Sequence, residues 1–107
     1  MVAQTRIVMP ATAKKGQVIE IKTLIQHPME TGHRRDNEGR PIKRDIVHRF
    51  TVNYNGVEVF RSDLFPGVAA NPYFAFSTVA TETGELVFQW TDDQGVATRE
   101  TRKIVVT

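Results

Sequence analysis

Residues 46 to 60 read Ile46-Val47-His48-Arg49-Phe50-Thr51-Val52-Asn53-Tyr54-Asn55-Gly56-Val57-Glu58-Val59-Phe60. Ile46, His48, Phe50, Val52 and Tyr54 recur at alternate positions, the period of a half-buried strand. Asn55-Gly56 follows, the pair best able to take the positive φ angles of a type I′ turn. The segment is therefore a β-hairpin that returns through Val57, Val59 and Arg61. Such a turn sets Tyr54 opposite Val57 and Val52 opposite Val59, which predicts one shared core face for all of them. Phe60 is then expected on the opposite face, beside Thr51.

The same alternation extends outward from the hairpin. Ile19, Ile21, Thr23 and Ile25 point one way between Val18 and Gln26, while Glu20, Lys22 and Gln26 point the other. An opening strand from Thr5 to Met9 is read from β-branched content and stops at Pro10. Turn formers Pro66-Gly67 and Asn71-Pro72 precede a strand from Tyr73 to Val79, and Thr83-Gly84 marks the next turn. Leu86, Phe88 and Trp90 alternate with Glu85, Val87 and Gln89. Asp92-Asp93-Gln94-Gly95 then turns the chain into a last strand ending at Ile104-Val105-Val106. Short strands between turn signals, with no helical periodicity, predict an all-β protein, an immunoglobulin-like antiparallel β-sandwich of six to seven strands with Trp90 in its core. A length of 107 residues fits a single domain, 1–107.

One segment departs from this pattern. His27-Pro28-Met29-Glu30-Thr31-Gly32-His33-Arg34-Arg35-Asp36 interrupts the alternation with a long polar loop, and such loops in small domains are usually functional. It is read as a recognition surface, not a reaction centre. Six of the fourteen Lys and Arg residues fall between Arg34 and Arg49, a basic stretch suited to charged docking. The net charge of +2 is too mild to call for nucleic acid. No apolar run approaches the roughly 18 residues of a membrane span, and no charged leader opens the chain.

Chemistry finds little support in the residues. There is no cysteine, which excludes disulfides, thiolate ligands and a thiol nucleophile. His27, His33 and His48 lack the spacing that brings two imidazoles to one ion, so no metal and no cofactor is expected. His48 is read as semi-buried on its strand, and His27 and His33 as loop residues. Glu30, Asp36, Glu38 and Asp45 read as solvated acids, because general acid–base work needs a cleft to perturb them. Ser62 and Ser77 have no triad context. Ala70-Asn71-Pro72-Tyr73-Phe74 presents successive aromatics that must face opposite ways. One of Tyr73 and Phe74 is core, and the other forms with Phe60 an apolar patch for a protein partner.

With these residues in view the chain resembles the SoxZ family, the Z subunits of the sulfur-oxidising SoxYZ carrier. The likeness runs through Ile21-Lys22-Thr23-Leu24-Ile25, His27-Pro28-Met29-Glu30-Thr31-Gly32, Pro41-Ile42 and Phe50. It continues through Asn55-Gly56 with Glu58-Val59-Phe60, Ala70-Asn71-Pro72-Tyr73, Gly84, and Trp90 with Asp92-Asp93 and Gly95. The resemblance implies a non-catalytic sandwich that pairs with a Y subunit, whose cysteine on a flexible C-terminal arm carries sulfur intermediates in thiosulfate oxidation. It implies a periplasmic location, reached by export with the partner. Partner contacts are expected at Phe60, Tyr73, Phe74, His27, Met29, Glu30, Arg34 and Arg35. Two other readings stay open: a small enzyme or sulfur-ligand binder using His27, His33 and Glu30, and an autonomous adhesion-type sandwich.

Overall fold

The computed structural model describes residues 4–107; Met1 to Ala3, part of the opening read for a leader, lie outside it. The strands are β1 (Thr5–Val8), β2 (Thr12–Ala13), β3 (Val18–Ile25), β4 (Val47–Tyr54), β5 (Val57–Asp63), β6 (Tyr73–Val79), β7 (Gly84–Asp92) and β8 (Ala97–Val106). A three-stranded sheet, β1-β3-β6, packs on a five-stranded sheet, β2-β8-β7-β4-β5. No helix occurs among the described residues. The architecture is the expected immunoglobulin-like sandwich with one more strand than foreseen. That strand, β2, runs parallel to β8. Pro10 follows β1 and has no N–H to continue its ladder, so the chain crosses to the other sheet. There Val105 and Thr107 donate their N–H groups to the carbonyls of Ala11 and Ala13.

The core follows from the alternation. Ile19, Ile21, Thr23 and Ile25 of β3 are buried against Phe50, Val52 and Tyr54 of β4 and Leu86, Phe88 and Trp90 of β7. Phe50 stacks on Trp90 at 4.8 Å and reaches across to Phe74 of β6 at 5.2 Å. The Tyr54 hydroxyl accepts hydrogen bonds from the N–H groups of Thr81 and Glu82, at 3.3 and 3.1 Å, and donates to the Glu82 carbonyl. One side chain thus ties the end of β4 to the β6–β7 connection. At the hairpin tip φ is +48° at Asn55 and +82° at Gly56, as a type I′ turn requires.

Two β-bulges alter the expected facing. Tyr54 lies opposite Val57, but the ladder shifts after Asn53 and Glu58 so that Val52 faces Phe60, not Val59. The extra residue reverses the alternation and carries Phe60 inward. Its ring stacks on Phe76 of β6 at 4.4 Å and lies 5.9 Å from both Phe50 and Phe74. The outward placement of Phe60 is therefore corrected: it packs between the sheets, where a phenyl ring gains more from aromatic neighbours than a valine would. Val57 is the exposed member of the pair, at 65%. The second bulge lies between Val47, opposite Asp92, and Arg49, opposite Thr91. His48 is the unmatched residue, so Ile46 and Val47 are both buried and the His48 side chain is 40% exposed, off the core face predicted for it.

Candidate functional site

The polar loop between β3 and β4 is an irregular hairpin. Glu30 pairs with Asp45 through reciprocal backbone bonds, Arg35 bridges Pro41, and Asp36 bonds Arg40 across the tip. Its base is pinned by the His27-Pro28-Met29 segment. The His27 N–H donates to Asn71 Oδ1 at 2.9 Å, and the Asn71 N–H returns to the His27 carbonyl at 2.8 Å. Met29 takes a positive φ of 53°, and its buried Sδ accepts from the Val47 N–H. Gly32 follows at φ +85°, with the position of a Cβ only 3.0 Å from Arg44 Cβ, so a side chain there would meet both backbone strain and crowding.

This arrangement redistributes the expected partner residues. His27 and Met29 are 7% and 4% exposed, so they hold the loop root and are not part of a surface. Glu30 is engaged by the Arg34 guanidinium, which holds its carboxyl below the usual range and in turn raises Arg34. Arg34 and Arg35 are exposed on the loop, Arg35 bonded to the Gly39 carbonyl at 2.8 Å. Phe74 faces the core, and Tyr73 stands outward at 56% exposure. On the outer face of the three-stranded sheet Tyr73 lies opposite Leu24, and exposed Val8 lies opposite Lys22. These residues, with Arg6, line a shallow apolar depression of about 230 Å³. Phe65, 68% exposed, and Val68 form apolar surface that the sequence reading missed.

The Arg44 guanidinium grips Asp93 through Nε at 2.7 Å and Nη2 at 3.0 Å. That contact, aided by the Ile46 N–H and by His48, holds the Asp93 carboxyl below the usual carboxylate range despite partial burial. The pair ties the loop to the β7–β8 turn.

A second acidic site was not foreseen. His27 Nε2 lies 3.8 Å from Asp45 Oδ1 and 3.9 Å from Asp92 Oδ2, and the three atoms sit within 4.8 Å of one another. They share a cavity of about 290 Å³ with Ile25, Val47, Val96 and Trp90. The arrangement resembles a metal-ligand set, but its hydrogen bonding opposes one. Met29 N–H donates to His27 Nδ1 at 3.0 Å, which assigns the ring proton to Nε2. A ligating imidazole needs the reverse, a bare Nε2 and a donating Nδ1. His33 is exposed and is not part of this group, so the trio of His27, His33 and Glu30 is not assembled. No spacing rule could have found the site. Asp45 reaches it through the Glu30 pairing and Asp92 through its register with Val47.

Fold and site together define an immunoglobulin-like β-sandwich without cysteine, stiffened at one end by a pinned polar loop. The family model described as "Sulphur oxidation protein SoxZ" matches residues 6–103, and the chain belongs to that family. No curated protein sequence matches it significantly. Among solved structures it is similar to a superoxide reductase (neelaredoxin) from Ignicoccus hospitalis, with TM-score 0.76 and 17% identity over 98% of this chain and 82% of that one. It is also similar to the sulfur carrier protein SoxY from Chlorobium limicola f. thiosulfatophilum, with TM-score 0.68 and 17% identity over 96% and 78% of the two chains. At such identities the likeness is one of fold alone.

Proposed function

We propose that this chain is the non-catalytic subunit of a periplasmic heterodimer, in which a Y subunit holds sulfur intermediates on its cysteine during thiosulfate oxidation. The observation that carries this reading is the family match over nearly the whole chain. The absence of cysteine agrees with it, since the covalent chemistry then falls to another chain. The partner docks on the outer face of the three-stranded sheet, where Val8, Leu24 and Tyr73 offer apolar area that none of the described residues covers. Arg34 and Arg35, well away from the core, steer acidic enzymes of the pathway toward the carrier.

Co-expression with the Y subunit, followed by size-exclusion chromatography with light scattering, tests the pairing. A 1:1 complex is expected, and Tyr73→Ala should weaken it about tenfold or more if the ring is an anchor. Two chains that elute separately at micromolar concentration would refute the pairing. An intact complex with unchanged affinity in Tyr73→Ala would refute this docking face.

A further inference from the structure

The cavity beside His27 has a charge problem that the described residues do not solve. Of the five aspartates, Asp36, Asp63 and Asp93 each face an arginine, while among the described residues the only ion contacts of Asp45 and Asp92 are with His27. His27 cannot answer them as a cation without losing the Met29 N–H bond, because that bond needs a bare Nδ1. Asp92 Oδ1 accepts from the N–H groups of Gln94 and Val96, and Asp45 Oδ2 accepts from Gln94 Nε2. The remaining oxygens, Asp45 Oδ1 and Asp92 Oδ2, lie 3.8 and 3.9 Å from His27 Nε2, and both residues line the cavity. Among the described residues Asp45 Oδ1, an acceptor, is buried with no hydrogen-bond partner; the unpaired Nε1–H of Trp90, which also lines the cavity, is a donor that a carbonyl and not a cation would satisfy. Buried polar atoms in native proteins rarely stay unpaired, so an external group is the simplest occupant.

We propose that this cavity receives a basic side chain, arginine or lysine, from a protein partner. The guanidinium or ammonium meets Asp45 and Asp92, and the methylene stem lies along Ile25, Val47, Val96 and Trp90. A volume of about 290 Å³ holds one such side chain but not a drug-sized ligand. The proposal rests on the chain acting through protein contacts, yet it concerns a different surface from the Tyr73 face.

The test uses the isolated chain. An acetylated, amidated Gly-Gly-Arg-Gly-Gly peptide is titrated at low ionic strength, with the citrulline peptide as a neutral isostere. Trp90 is the only tryptophan and lines the cavity, so its fluorescence and indole N–H resonance report occupancy. The arginine peptide should shift both signals saturably and bind about tenfold or more tightly than the citrulline peptide. Asp45→Asn, which keeps the acceptor for Gln94, should remove that preference. Equal binding of the two peptides, or no saturable shift at concentrations on the order of 10 mM, overturns the proposal. So does stoichiometric binding of zinc that is lost in His27→Gln, which would make the cavity a metal site. If Asp45→Asn does not fold, the comparison of the two peptides on the natural chain still decides. None of these outcomes bears on the heterodimer, which is measured with the Y subunit present.

Discussion

Phe60→Ala separates a core role from an interface role at the residue where the β4–β5 bulge changes the reading. The ring is partly buried and meets Phe76 at 4.4 Å and Phe50 and Phe74 at 5.9 Å. A fully buried Phe→Ala change costs about 3–5 kcal/mol, and aromatic pairs contribute about 0.5–1.5 kcal/mol each beyond their area. Discounting for partial exposure leaves a loss of about 2–3 kcal/mol. Urea unfolding followed by Trp90 fluorescence measures it. With an m-value of about 1–3 kcal/mol/M the midpoint should fall by roughly 0.7–3 M. The slope should stay unchanged, and affinity for the Y subunit per folded molecule should be preserved. An unmoved midpoint with lost affinity would mean that the ring faces outward and that the bulged register is wrong.

Two further outcomes concern stability. Gly56→Val should cost about 1–2 kcal/mol, read as a lower denaturation midpoint, because φ is +82° there; open space surrounds the position, so the cost is backbone strain and not a clash. Asp93 and Glu30 are held below their ordinary ranges, mainly by hydrogen bonds from Arg44 and Arg34. Their stabilisation is present above the unfolded carboxylate range, about pH 4, and is lost as pH falls through the folded-state values. Urea midpoints should therefore drop on acidification below about pH 4, and drop less in Asp93→Asn.

Much of the fold was legible in the chain because it rests on local rules. Alternation in Val18–Ile25 and in Leu86, Phe88 and Trp90 follows from the two-residue period of a strand, and those core faces are as expected. Asn55-Gly56 specifies its turn through backbone sterics alone. Likewise the opposed facing of Tyr73 and Phe74 needs no knowledge of the rest of the molecule. Bulges are another matter. Whether Val59 or Phe60 faces inward depends on what the opposite sheet offers, and Phe76 and Phe74 arrive there from residues far along the chain. The facing of His48, half-buried as expected, escaped for the same reason, since the extra residue opposite Asp92 and Thr91 answers to a partner strand. The His27-Pro28-Met29 segment, which the sequence places in a surface loop, is a buried staple once Asn71 and Val47 close on it. The acidic cavity lies furthest from the linear text. Asp45 and Asp92 are 47 positions apart, and only pairing of the loop base and register between β4 and β7 bring them together at the Nε2 edge of one imidazole. Charge and residue type are properties of the sequence, but distances between charges are set by which strands pair and at what offset.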